Sequence, residues 1–290
     1  MIPAEFDYVA PGSIDEALSA LADGGEDAKL IAGGHSLLPL MKLRLAAPTL
    51  LVDLRRVPGM TGIEHERSGG EASGRDSGGV TIGAMTTHTA IANDDGLGLI
   101  AAVSKTIADP QVRNRGTLGG SLAHGDPASD QPAILLAYEG SVTVRGASGE
   151  RTIAAADLFQ DYLTTAVGDD EVLTSVNYPA LDGYGFGYQK FNRRKEDWAM
   201  VAVGALVKKA PDGTCEDVRI GLTHMSSVPL RATAVEQALR GMPLDANSIA
   251  AAAEQAAEGT EPPADLNASS DYKRHLARVL TKRAIADAAA

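Results

Sequence analysis

Two short glycine pairs, each followed by a hydroxyl residue, constrain this chain more than any other feature. One lies in Ala32-Gly33-Gly34-His35-Ser36, the other in Thr117-Leu118-Gly119-Gly120-Ser121. A glycine pair lets backbone amides approach an anion with no Cβ in the way, and a serine hydroxyl adds a donor. The pairs are far apart in sequence, so they belong to different substructures that meet over one ligand with more than one phosphate. A dinucleotide pyrophosphate is the natural guess. On this reading, a bulky side chain at Gly34 or Gly119 intrudes where backbone meets phosphate. Neither loop has the G-x-G-x-x-G or G-x-x-x-x-G-K-[ST] pattern, and a lone Gly-Gly turn is also an ordinary structural turn.

Composition narrows the function. At 290 residues the chain exceeds the usual single-domain size, which predicts about two or three compact units. A net charge of −12, from 38 acidic and 26 basic residues, argues against nucleic-acid or anionic-membrane binding. The single cysteine, Cys215, excludes an intrachain disulfide and any all-cysteine iron–sulfur or zinc site. The histidines show no metal-ligand spacing, and Ser36 and Ser121 lack a G-x-S-x-G elbow, so no metal site or serine hydrolase is expected. The start, Met1 to Asp7, does not read as a secretory signal, and the apolar run Trp198 to Val207 is too short to span a bilayer. A cytoplasmic protein without a transmembrane segment is expected.

Ser13-x-x-Glu16 has the capping-box pattern and predicts a helix to about Ala22. Lys29 to Ala32 and Leu50 to Leu54 read as buried strands, with a helical turn or two over Leu37 to Leu45 between them. Arg67 to Gly79 reads as a surface hairpin or loop. Val80 to Ala84 is a strand, His88 to Ala92 begins a helix, and Asp109 to Gly120 reads as long and irregular. A helix over Pro127 to Ala137 and strands at Val142–Val144 and Glu171–Tyr178 follow. Past a boundary near Pro179 to Gly183, three antiparallel strands (Gly185–Phe191, Ala199–Lys208, Val218–His224) precede helices at Pro229–Arg240, Ala246–Glu258 and Asp271–Ala288. Strands then helices predict an α+β domain. Gly185 and Gly187, set among Tyr184, Phe186 and Tyr188, read as sheet packing.

Asp109 to Thr117 places Arg113 and Arg115 beside the second glycine loop. Alternate residues of an extended segment share a face, so both guanidinium groups could meet the same phosphates; pairing with Asp109 or Asp126 is the alternative.

Taken together, Ala32 to Lys42, Ile107 to Ser121, Gly125-Asp126-Pro127 with Asp130, Tyr188 to Phe191, and Arg194 with Asp197-Trp198-Ala199 carry a resemblance. In this order they resemble the FAD-binding medium subunits of molybdenum hydroxylases, above all those of aerobic carbon monoxide dehydrogenases, over nearly the whole chain. The resemblance implies an α+β protein: a vanillyl-alcohol-oxidase (PCMH-type) FAD-binding fold of two α/β subdomains, 1–56 and 57–179, and a C-terminal domain, 180–290. It implies FAD bound without a covalent link at His35. Ala32, Gly33, Gly34, His35, Ser36 and Leu37, with Ile107, Ala108, Thr117, Leu118, Gly119, Gly120 and Ser121, would hold the cofactor. Asp126 belongs to the same set, Asp130 would meet ribityl or flavin polar groups, and Leu173 would pack nearby. Lys190 would lie near the flavin pyrimidine, where positive charge favours the anionic reduced form. Trp198 stands where relatives often carry a tyrosine, so aromatic contact is kept and a phenol hydroxyl is lost.

The implied work is electron transfer within a complex, and no catalytic side chain is assigned. A large subunit would hold the molybdenum cofactor and a small one two [2Fe-2S] clusters, in a cytoplasmic dimer of heterotrimers associated with the inner face of the membrane through partners. The medium subunit would pass electrons to a quinone, NAD or oxygen. The implied substrate is carbon monoxide, with N-heterocycles, purines, aldehydes or aromatic acyl-CoA thioesters as alternatives. A stand-alone flavin oxidase and a non-catalytic nucleotide-binding scaffold are the rivals.

Overall fold

A computed structural model describes residues 2–66 and 79–290; the stretch expected as a surface hairpin lies, except for Gly79, outside them. Strand β1 (Asp7–Val9) is followed by helix α1 (Ile14–Gly24), whose N-cap Ser13 accepts from the Glu16 amide as the capping box predicts. Strand β2 (Ala28–Ile31), helix α2 (Leu37–Lys42) and strand β3 (Leu50–Asp53) follow. These strands form a parallel sheet in the order β1-β3-β2, with Ile31 opposite Asp53. The chain thus leaves β2 at its carboxyl end directly into the first glycine loop, the usual ligand edge of a parallel sheet.

Strands β4 (Ile63–His65) and β5 (Val80–Gly83) open a second sheet. Five short helices then run in series: α3 (His88–Ala92), α4 (Leu99–Ser104), α5 (Pro110–Arg113), α6 (Leu118–His124) and α7 (Asp130–Tyr138). The hairpin β6 (Ser141–Gly146) and β7 (Gly149–Ala154), a turn of helix α8 (Ala155–Leu158), the small pair β8 (Phe159–Asp161) and β9 (Thr164–Thr165), and β10 (Val172–Tyr178) complete this part. The second sheet has the order β4-β5-β10-β6-β7, antiparallel throughout.

The segment Asp109 to Gly120 is not irregular. Asp109 caps α5 through the Val112 amide with Pro110 in the first turn, and Thr117 caps α6 through the Gly120 amide. Four residues are too few for a helical period to show, which is why α5 is invisible in the sequence. Helix α7 also starts later than expected: Pro127 lies in the turn before it.

The C-terminal sheet comprises β11 (Tyr184–Phe191), β12 (Val201–Lys209), β13 (Cys215–Thr223) and β14 (Leu230–Arg231). It has four antiparallel strands, not three. Helices α9 (Thr233–Leu239), α10 (Ala246–Ala253) and α11 (Ser270–Ala289) follow. The two faces of β11 do different work. A Cβ on Gly185 or Gly187 would strike the Ala288 or Ala284 carbonyl of α11, so these glycines let helix and strand close on each other. The opposite face carries Tyr184, Tyr188 and Lys190 toward the helical series. One apolar core lies under the first two sheets, and a second lies between the C-terminal sheet and its helices. Among the described residues no helix is long and apolar enough to cross a membrane.

Tyr178, at the end of β10, is 2% exposed, and its hydroxyl has no partner among the described residues. Its ring meets Tyr138 edge-on at 5.3 Å between centroids. Burial raises its pKa, so the neutral phenol carries an unsatisfied donor. Tyr178→Phe keeps the ring contact and removes that group, so it should stabilise the fold by about 1 kcal/mol. Urea melts give the sign; a loss of stability would mean that the hydroxyl is paired.

Candidate functional site

A cleft of about 570 Å³ lies where the first sheet, the helical series and the first C-terminal strand converge. The size suits a small-molecule ligand. Every predicted site residue lines it except Leu118 and Asp126. Leu118 is fully buried in the first core. The Asp126 carboxylate accepts from the Ala128 amide, at 2.8 Å, and so shapes the turn before α7.

The two glycine loops face one another across this cleft, but for different reasons than free amides on both sides. A Cβ on Gly33 would strike the Arg115 carbonyl oxygen and sit 2.8 Å from Gly116 Cα. Gly33 is therefore the place where the two walls touch backbone to backbone. Gly34 has φ +76°, the left-handed region that favours glycine. At Gly119 a Cβ would stand 2.5 Å from Ala84 Cβ and 2.8 Å from its Cα. The constraint at Gly119 is thus the chain behind the loop, not a phosphate in front of it.

The amides divide the same way. Leu118 N donates to Thr86 O (3.1 Å), Gly119 N to Ala84 O (2.9 Å) and Ser121 N to Thr117 O (3.1 Å). Gly120 N donates to the Thr117 hydroxyl at 3.2 Å. The second loop's amides are therefore satisfied by the protein. Among the described residues the amides of Gly33, Gly34, His35 and Ser36 have no protein acceptor. Ser36 begins α2 without using its hydroxyl as a cap. The first loop is where this cleft can bind an anion through backbone groups.

Neither arginine points at that anion site. Arg113 Nη1 donates to Ile107 O (2.8 Å) and Ala108 O (2.9 Å), fixing the 107–108 turn in which Ala108 has φ +41°. Arg115 is exposed and lies outside the cleft lining. The helical winding of α5 removes the shared face that an extended segment would give them.

At the C-terminal side, Asp130 and Lys190 form an ion pair of 2.8 Å, each with its side chain 6% exposed. Asp130 Oδ1 accepts from the Tyr188 hydroxyl at 2.7 Å, and Lys190 Nζ also reaches Thr106 O at 3.3 Å. Burial first, then the Asp130 charge, raises the Tyr188 pKa well above the ordinary phenol value, so it stays a donor. The positive charge expected of Lys190 is thus matched by a carboxylate in contact with it. Leu173 lies nearby in β10, and Trp198, 55% exposed, stands at the cleft edge.

Sequence reasoning missed several lining residues, chiefly His88, Ser129, Thr165 and the Val167 to Asp169 segment. None sits in a motif; Asp169 is there because the chain before β10 folds back, where Lys29 meets it at 3.0 Å. His88 is 4% exposed and its Nδ1 has no partner among the described residues. Burial, then the nearby Arg113, lowers its pKa from 6.5 to about 4. The unfolded chain takes up that proton near pH 6.5 and the folded chain only near pH 4. Stability is therefore lost as pH falls through this window, by roughly 3 kcal/mol at full extent. Urea melts between pH 7 and pH 4.5 should show His88→Leu losing less stability with acid than the wild type. Parallel losses would assign the acid response to other groups.

Open amides at one wall, a buried ion pair at the other and apolar lining between them define a cleft suited to an anionic organic cofactor. A family model for the FAD binding domain in molybdopterin dehydrogenase matches residues 4–181, and one for the CO dehydrogenase flavoprotein C-terminal domain matches residues 186–288. The chain belongs to this family of FAD-binding oxidoreductase chains. It is similar to the carbon monoxide dehydrogenase medium chain of Hydrogenophaga pseudoflava, at 39% identity over 98% of this chain and 97% of that one. It is 36% identical to the 6-hydroxypseudooxynicotine dehydrogenase complex subunit alpha of Paenarthrobacter nicotinovorans, over 99% of this chain and 96% of that one. A solved structure of carbon monoxide dehydrogenase from H. pseudoflava superposes with a TM-score of 0.92 at 41% identity, covering 99% of this chain and 98% of that one. The α+β fold expected from the resemblance, an FAD-binding part and a C-terminal part with an antiparallel sheet, is the fold found. The residues present fit FAD: the unfilled Gly33–Ser36 amides suit its diphosphate, and the polar pair beside Leu173 suits its ring system.

Proposed function

We propose that this chain is the FAD-carrying medium subunit of a molybdenum hydroxylase complex that oxidises carbon monoxide. The observation that carries the reading is the set of unpartnered amides from Gly33 to Ser36 at the cleft, in a chain of a flavoprotein family. FAD, when bound, takes up electrons singly or in pairs and passes them on. The chain's own residues bind and orient it. Gly33 to Ser36 would hold the diphosphate, while Thr117 to Ser121 shape the wall opposite. Ile107 and Ala108, held by Arg113, and Leu173 would exclude water from the apolar parts. Asp130 and Lys190 would present one acceptor and one donor to flavin polar groups. Their mutual charge balance limits how far either favours one charge state of the ring. Trp198 would stand against the ring at the cleft edge.

Single-cysteine composition rules out iron–sulfur clusters in this chain, which supports a division of labour. A large subunit would carry the molybdenum cofactor and a small one two [2Fe-2S] clusters, assembled as a dimer of heterotrimers. The external acceptor would be a quinone, NAD or oxygen, and the complex would sit in the cytoplasm, at the inner face of the membrane through its partners. Within the chain, residues 1–56, 57–179 and 180–290 would be the two FAD subdomains and the C-terminal domain.

The test is a flavin spectrum followed during turnover. Reconstituted with its partner subunits, the flavin should bleach under carbon monoxide, and the chain alone should not. Similarity to the hydroxypseudooxynicotine complex at 36% identity, and to a nicotine 6-hydroxylase medium subunit at the same 39% as the carbon monoxide dehydrogenase chain, favours an N-heterocycle as the second reading. Bleaching by a pyridine substrate, with carbon monoxide inert, selects it. Bleaching of the isolated chain by substrate would overturn the subunit role.

A further inference from the structure

Behind the cleft wall lies a buried group of polar side chains that binds no part of the cleft directly. Lys273, in α11, is fully buried; its Nζ donates to Asp265 Oδ2 at 2.7 Å and approaches His224 Nε2 at 3.3 Å. A lysine ammonium has only donors, so Nε2 must be the acceptor. The ring proton is then on Nδ1, which donates to Ala199 O at 2.9 Å. Burial, helped by Lys273, lowers the His224 pKa, which keeps this single neutral tautomer.

His224 is also held in an unusual backbone state. It directly follows β13 and has φ +64°, a left-handed conformation that costs a histidine energy. Its amide donates to Pro127 O at 2.8 Å. Strain of this kind persists only where the surroundings over-determine it. Here it aims the ring at one carbonyl and the amide at another. Those carbonyls belong to two cleft-forming segments: Ala199 follows Trp198, and Pro127 lies in the turn that leads to Ser129 and Asp130.

We infer that His224 is a positioning residue for the flavin site, fixing Trp198 at the cleft edge by clamping the Ala199 carbonyl, with Lys273 setting the tautomer that can do so. Trp198 is half exposed and has no hydrogen bond of its own among the described residues; Asp197 and Met200 on either side bond within the same loop, and Ala199 is the neighbour tied to the C-terminal domain through His224. The inference rests on the proposed place of Trp198 beside the flavin.

Trp198 is the chain's only tryptophan, so fluorescence excited at the red edge, beyond tyrosine absorption, reports on it alone. The full chain, with and without FAD, is compared as wild type, His224→Asn and His224→Asp. Both substitutes tolerate left-handed backbone and have the same shape. Asparagine offers an N–H near the position of Nδ1, whereas aspartate offers only acceptors to Ala199 O; neither side chain extends to the position of Nε2, so Lys273 keeps Asp265 as its partner in both. FAD should quench Trp198 in the wild type and in His224→Asn. In His224→Asp the ratio of held to released Trp198 should fall by about fivefold, as expected for one lost hydrogen bond, with a matching rise in FAD-bound fluorescence and a fall in Trp anisotropy. A general structural role would lower the Tm of both variants alike without separating their quenching. If His224→Asp does not fold, His224→Gly, which relieves the backbone and deletes the ring, takes its place against His224→Asn. Equal quenching in all variants overturns the inference and leaves the function standing. A wild-type chain that binds FAD with no change in Trp198 fluorescence removes the place of Trp198, and the inference with it.

Discussion

Replacing Gly33 with alanine will force the two walls of the cleft apart. The new Cβ meets the Arg115 carbonyl oxygen and, at 2.8 Å, Gly116 Cα, and both are backbone. No rotamer change relieves such a clash, so the cost falls near the upper end for overpacking, about 3 kcal/mol. Moving the walls also displaces the Gly33 to Ser36 amides from whatever they hold together with the opposite loop. FAD affinity should drop by about 100-fold if a similar free energy is lost on binding. Gly34→Ala should cost less, about 1–2 kcal/mol, because beyond φ its new Cβ meets only side-chain ends, Leu38 Cδ1 at 3.1 Å and Ile31 Cδ1 at 3.3 Å, which can give way. FAD titrations and urea melts on the two variants give both numbers. A Gly33→Ala chain that matches the wild type in both would mean that the loops do not need to touch.

Lys190→Met should be the most damaging single change on the C-terminal side. It leaves the Asp130 carboxylate buried with Tyr188 as its remaining side-chain donor. Breaking a buried pair on one side costs about 3–5 kcal/mol, much of it the unpaired charge rather than the lost attraction. The double variant Lys190→Met with Asp130→Leu removes that charge and should recover most of the stability while still binding FAD poorly. That separation, stability restored and binding not, distinguishes a ligand role from a structural one. If the double variant binds FAD like the wild type, the pair serves folding alone.

The sequence made the first glycine loop legible because its use is local. It follows a strand, its amides are left free by the turn itself, and Gly34 needs its left-handed φ. The second loop was legible as a partner but not in its mechanism. Nothing in Thr117 to Ser121 reveals that carbonyls from Ala84 and Thr86 will take its amides, since that depends on how β5 and the turn after it lie. Arg113 failed for a related reason: a four-residue helix turns it toward the carbonyls of Ile107 and Ala108. Strand β14 falls inside the stretch expected as a helix from Pro229; the helix starts only at Thr233, and the two strand residues before it have no period to detect. Asp130, Leu173 and Lys190 rest on resemblance alone, and Tyr188 belongs to a segment that carries the resemblance but has no role assigned by it. Its hydroxyl acquires meaning only once β11 is laid beside α7.

The self-contained bonding of the Thr117 turn bears on how such a subunit matures. Because those donors are already spoken for, a newly made polypeptide can finish one bank of the channel before any prosthetic group arrives. Only the opposing bank, Gly33 to Ser36, waits on delivery. Charging with the nucleotide is thereby uncoupled from most of folding, and an uncharged polypeptide keeps a surface ready to accept it.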